Sequence, residues 1–223
     1  MLQTVYYKII NFAYLVNYTY MIALYPVERE SSTMEDRKQT EVKSMNEKTG
    51  RLVMTGIMTS LVMVATMMIR IHVPFTQGYV HLGDAVIFLA VLVVGKKYGV
   101  FAAGIGSALA DILSGYAYYA PWTLVVKALM AFVVGAALEH MEKKGQIKDG
   151  KNITLLELLA MTFGGIEMTV GYYISASLMN GNWVTPLLSV PGNIGQFIVG
   201  MILATALAAA LYKTPAKKYF AIK

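Results

Sequence analysis

No cysteine occurs anywhere in the 223 residues, which excludes disulfides, thiolate catalysis and Cys-based metal or iron–sulfur sites. Charge is scarce as well: 14% of residues are Asp, Glu, Lys or Arg, against 57% hydrophobic. A water-soluble domain carries about 25% charged residues, so the natural solvent of this chain is lipid. Also missing are the G-x-x-x-x-G-K-[ST] loop that cradles ATP phosphates and the H-E-x-x-H and G-x-S-x-G signatures. The chain by itself therefore carries no ATPase and none of the usual hydrolase chemistry. No repeat of broken helices marks a self-sufficient secondary transporter. The net charge of +6 does not indicate nucleic acid, because the basic residues fall in short loops between apolar runs.

Those runs organise the chain. A membrane span needs roughly 20 mostly apolar residues, and six segments meet or approach this: 51–71, 80–95, 98–114, 121–140, 154–179 and 191–212. The expected fold is an all-α membrane protein, a six-transmembrane-helix bundle. Lys48 and Arg51 precede the first segment, Lys96 and Lys97 form a turn after the second, and Lys143, Lys144, Lys148 and Lys151 follow the fourth. Lys213, Lys217, Lys218 and Lys223 follow the sixth, whereas loops 72–79, 115–120 and 180–190 contain no Lys or Arg. By the positive-inside rule both termini are cytoplasmic and those three loops face outward. Small residues four apart, Ala102, Gly106 and Ala110 in one segment and Gly200, Ala204 and Ala208 in another, suit close helix packing in lipid.

The N-terminal 44 residues differ from the rest, being tyrosine-rich up to 27 and then polar. They are neither a clean signal peptide nor a clean span. Residues 1–44 are expected to lie outside the functional fold, with Met45 resembling a natural start and residues 45–223 forming the membrane domain; an interfacial amphipathic segment is the alternative.

The few charges within the apolar runs point to a site, since an ionisable group in hydrocarbon costs about 3 kcal/mol or more. Threading brings Asp84, Asp111 and Lys127 toward the outer side, with Lys127 about 9 Å below the start of its helix at about 1.5 Å per residue. Arg70 closes the first helix, Asn193 and Gln196 open the sixth, and Glu167 lies deeper in the fifth. Two acids and a lysine there can neutralise one another and still offer hydrogen bonds to a ligand. The alternative is an internal salt bridge, Asp84 or Asp111 with Lys127, that only locks the bundle. Tyr79, Tyr116, Tyr118, Tyr119, Trp122, Tyr172, Tyr173 and Trp183 crowd the same side. Many suit the interfacial belt; a minority, Trp122 and one or two tyrosines such as Tyr119, are expected to face inward and stack on a flat ligand. His72 and His81 bracket the loop PFTQGYVHLGD, and two histidines without further ligands do not make a metal site. A lid or hydrogen-bonding role is expected of His81.

Residues 78–135, GYVHLGDAVIFLAVLVVGKKYGVFAAGIGSALADILSGYAYYAPWTLVVKALMAFVVG, resemble the substrate-binding S components of energy-coupling factor (ECF) transporters. The likeness is to the branch of riboflavin-type and hydroxymethylpyrimidine- or pyridoxine-type proteins and rests on H-L-G-D-A, G-S-A-L-A-D and A-P-W-T-L-V-V-K taken together. It extends more loosely from Met45 to about Tyr212. The resemblance implies a six-helix protein of the bacterial cell membrane that captures a vitamin from outside and uses no cofactor. It further implies docking on a T component driven by two cytoplasmic ATPases, through small residues on the first helix that match Gly56 and Ser60 here. Asp84, Asp111 and Lys127 stand in the branch's recurrent motifs. A small hydroxylated heterocycle, hydroxymethylpyrimidine or pyridoxine, suits a mixed-charge aromatic pocket better than riboflavin's large tricycle. Two other classes stay open at this point: a membrane enzyme using Asp84 and Asp111 as acid and base, and a structural subunit.

Overall fold

A computed structural model describes residues 35–68, 70–72, 79–147, 154–214 and 220; the expectation for the N-terminal segment falls mostly outside this set. In chain order the elements are α1 (Glu35–Met68), β1 (Arg70–His72), β2 (Tyr79–His81), α2 (Gly83–Leu113), α3 (Ala120–Lys143), α4 (Leu155–Asn180), a 3-10 helix (Thr185–Ser189) and α5 (Val190–Tyr212). The chain divides into two compact units, Met1–Ile57 and Met58–Lys223. In the first, the Thr55 hydroxyl donates to the Arg51 carbonyl at 2.7 Å within helix α1. The second holds every element from the hairpin onward.

Two expectations need correction. Arg70 does not close the first helix. The helix stops at Met68, and Arg70 lies in β1, an antiparallel partner of β2 in which Arg70 faces His81, Ile71 faces Val80 and His72 faces Tyr79. β-Branched and aromatic residues on either side of Pro74 and Gly78 favour extended pairing over another helical turn. The second and third segments, moreover, are two helices, written together as α2, but the turn between them is not at Lys96-Lys97: the run breaks at Gly95, and both lysines are helical. Gly95 has φ 80° and ψ 174°, a conformation that only glycine adopts without strain.

The break at Gly95 reverses the chain. A Cβ placed on Gly99 would lie 3.0 Å from the Val91 Cα, although eight residues of straight helix span about 12 Å. Two ion pairs between α2 and α3 agree. Lys127 pairs with Asp84 and Lys96 with Glu139, each across 43 positions. Residues 84–94 and 127–139 therefore run in the same direction, which requires a return pass between them.

The first part of α2 forms the centre. Every residue from Ile87 to Val94 is buried, as expected of a helix that is apolar all round. Around it, α2 packs on α3 and α5, and α4 packs on α3 and α5. The small-residue stripes face inward: Ala102, Gly106, Ala110, Gly200, Ala204 and Ala208 are all buried. A Cβ on Gly106 would come within 2.6 Å of the Thr59 carbonyl oxygen.

Helix ends follow local chemistry. Pro121 stands in the first turn of α3, where its missing N–H costs nothing. Thr154 and Glu157 form a reciprocal capping box on α4, which ends at Gly181 in the left-handed conformation.

Outward faces are apolar. Leu155, Leu159, Phe163, Ile166, Val170, Ile174 and Leu178 follow a helical stripe along α4, and all are exposed. Lys48–Met68, Gly83–Leu113, Ala120–Lys143 and Thr185–Tyr212 are long and apolar enough to cross a membrane.

Candidate functional site

The first turn of α2 carries Asp84, where the partial positive charge of a helix N-terminus favours a carboxylate. Seven residues into α3, Lys127 reaches it. The two side chains form an ion pair in which both are fully buried. Lys127 Nζ also approaches Met168 Sδ at 2.8 Å and lies 5.3 Å from the centroid of the Tyr172 ring, both on α4. The Tyr172 hydroxyl meets Thr123 Oγ1 of α3 at 3.4 Å.

From α5, Gln196 completes the cluster. Its Nε2 donates to Asp84 Oδ2 at 2.9 Å, and its Oε1 accepts the His81 backbone N–H at 2.9 Å. A carboxylate only accepts and an N–H only donates, so this orientation of the amide is chemically required. Gly200, about one turn further along α5, makes the approach possible: a Cβ there would fall 2.8 Å from Asp84 Cβ and 3.1 Å from the Ala85 nitrogen.

His81 ties the hairpin to α2 as well, its Nδ1 accepting the Gly83 N–H at 3.0 Å. Burial, and then the nearby Lys127 charge, pull the imidazole from 6.5 down to about 3, with Asp84 opposing them. The ring is thus neutral at physiological pH, with its proton on Nε2, as the Gly83 bond requires.

Of the residues expected from sequence, the structure joins Asp84, Lys127 and Gln196 directly and His81 through its backbone. Asn193 is buried one turn before Gln196 on α5. Glu167 is half-buried at the α3–α4 face, its Oε1 3.5 Å from the Cβ position of Gly171, which also meets Val126. Its Oε2 makes no hydrogen bond among the described residues. Asp111, also buried, receives the Tyr116 N–H on its carbonyl oxygen at 2.8 Å. It lies beneath the tyrosine loop, where burial, then Tyr118 and Asp111, push the Tyr119 phenol upward.

Trp122 does not face inward. It is 37% exposed and shares the outer stripe of α3 with Val125, Leu129 and Phe132. The ring at the cluster is Tyr172 instead. Sequence reasoning missed Met168. The spacing of Met161, Gly165, Met168 and Tyr172 along one face of α4 carried the signal, hidden by the usual reading of Met as filler. Gly56 and Ser60, one turn apart on α1, are both exposed.

This geometry meets the comparisons with known proteins. The pattern of ECF-type riboflavin transporter S components matches residues 46–213, most of the chain. The chain belongs to this family. It is therefore a substrate-binding transport subunit of a multi-pass membrane type, and the acid–base enzyme reading of Asp84 and Asp111 falls away. An uncharacterised protein of Pyrococcus woesei is 35% identical over 152 residues, covering 68% of this chain and 95% of that protein. The thiamine precursor transporter HmpT of Lactococcus lactis subsp. cremoris (strain MG1363) is 25% identical over 170 residues, covering 76% of this chain and 92% of HmpT.

Proposed function

We propose that this S component captures a small water-soluble vitamin or vitamin precursor from the outer side of the membrane, holding it where Asp84, Lys127 and His81 converge with Gln196. The observation that carries the reading is a fully buried ion pair at a helix start, where four helices and a hairpin meet, in a family whose members bind substrates. The riboflavin name of the family and the thiamine-precursor name of HmpT both suit a flat, polar heterocycle. Asp111, Asn193, Glu167, Tyr119 and Trp122 are the further candidates for the site, Trp122 with the weakest geometric support.

Six crossings follow if the two parts of α2 on either side of Gly95 each span the bilayer and α4, apolar along its outer face, does so too. The lysine-rich loops then place both termini in the cytoplasm. Gly56 and Ser60 offer a small-residue face on α1 to a T component that two cytoplasmic ATPases energise.

A second reading has its own support. Every charge in the Asp84–Lys127 pair already has partners within the protein, which suits a purely structural lock. Thermal stability of the full chain in detergent, measured against thiamine precursors, pyridoxine and riboflavin, separates the two. A bound vitamin at 100 times its Kd should add about 2.7 kcal/mol of apparent stability. A flat response from folded protein leaves only the lock.

A further inference from the structure

Asp84 Oδ2 and the His81 N–H form an edge with a demanding complement: a donor and an acceptor flanking one carbon of a planar group. Gln196 satisfies both with a single carboxamide, at 2.9 Å on each side. Both groups are anchored independently of Gln196. Lys127 holds the carboxylate, and β2 together with the bond between His81 Nδ1 and Gly83 holds the N–H. The edge therefore persists when the Gln196 side chain leaves. Met168 Sδ lies 3.6 Å from Gln196 Nε2, and the Tyr172 ring centroid is 5.3 Å from Lys127 Nζ. Sulfur and an aromatic ring are good neighbours for a flat heterocycle.

We infer that Gln196 competes with the substrate for this edge, and that the substrate is a planar heterocycle with an N–H donor and an acceptor flanking one ring carbon. The inference rests on the capture reading above and narrows it. A 4-aminopyrimidine has this pattern in its exocyclic amine and the adjacent ring nitrogen, as does riboflavin's outer ring in an imide N–H and its neighbouring carbonyl. Pyridoxine has no donor and acceptor across a single ring carbon. Exchange of one amide-like edge for another leaves the Asp84–Lys127 pair intact and both groups of the edge satisfied. Displacing Lys127 instead would strand a buried charge. A competing internal group lowers apparent affinity by the fraction of time it holds the edge, so removing it should tighten binding.

The test is isothermal titration of the full chain in detergent with 4-amino-5-hydroxymethyl-2-methylpyrimidine, riboflavin and pyridoxine. The wild type is expected to bind the aminopyrimidine or riboflavin and not pyridoxine. Gln196→Ala should bind the same compound several-fold more tightly, while melting at a lower temperature without it. Gln196→Met, which keeps the volume but cannot bridge the edge, gives the same reading if the alanine variant does not fold. Unchanged or weaker binding by a folded variant overturns the competition and leaves the capture reading standing, as does pyridoxine as the one bound compound. No binding of any compound by the wild type overturns the capture reading and this inference with it.

Discussion

Two ion pairs fasten α2 to α3, and the chain spaces them alike, 43 positions apart in each case. Lys96 and Glu139 meet near the Gly95 break at 2.6 Å, with side chains 28% and 42% exposed. Lys127 and Asp84 meet near the other end of the same helices, both at 0%. One pair keeps contact with its surroundings, and Lys96 also leans on the Phe132 ring. The other is enclosed by Met168, Tyr172, Gln196 and Gly200. The same chemistry thus has two meanings. The exposed pair is a clip of small net worth, whereas the buried pair commits four helices to its upkeep, since an unpartnered charge there costs far more than the pair contributes.

That contrast predicts a hierarchy. Lys127→Ala strands the Asp84 carboxylate and should cost about 3–5 kcal/mol of stability. Adding Asp84→Asn should recover much of the loss in a thermal melt. Failure of the double variant to recover would mean that Lys127 acts by something other than neutralising Asp84.

His81 should contribute the next largest effect, through pH. Its folded pKa, about 3, lies below its ordinary 6.5. Stability from its neutral form is thus fully present above 6.5 and lost as pH falls toward 3. The loss between pH 7 and pH 5 should be on the order of 2 kcal/mol. His81→Asn, which keeps an acceptor for the Gly83 N–H, should flatten that part of the pH profile relative to wild type; parallel profiles would refute the assignment.

Gly200→Ala comes third. Its methyl group would press on Asp84 and push α5 from α2, at a cost of about 1–3 kcal/mol. Affinity for any bound vitamin should fall in the same variant, and a neutral melt would show that the two helices have room to part. Glu139→Gln closes the series with a loss of about 1 kcal/mol or less. A cost there equal to that of Lys127→Ala would erase the distinction between the two pairs.

Much of the buried cluster was legible in the chain because lipid makes charge conspicuous. Asp84 and Lys127 stand out against apolar neighbours, and the threading expected from the lysine-free loops puts them near one another. Gln196 followed from the same threading. Met168 and Trp122 did not, because their roles depend on helix rotation, which apolar flanks on every side leave undefined. The β1–β2 hairpin was hidden by its length, since three-residue strands make no periodic signal.

By itself the sequence determined the apolar solvent, the long apolar segments and the few polar positions within them. These follow from composition and from the cost of placing charge in hydrocarbon. Tertiary structure alone decided which acid Lys127 takes, that Gly95 and not the lysine pair turns the chain, and that Gln196 closes the edge between Asp84 and His81. Those choices depend on distances of a few ångströms between segments far apart in the chain, set by where Gly200 and Gly106 let backbones approach.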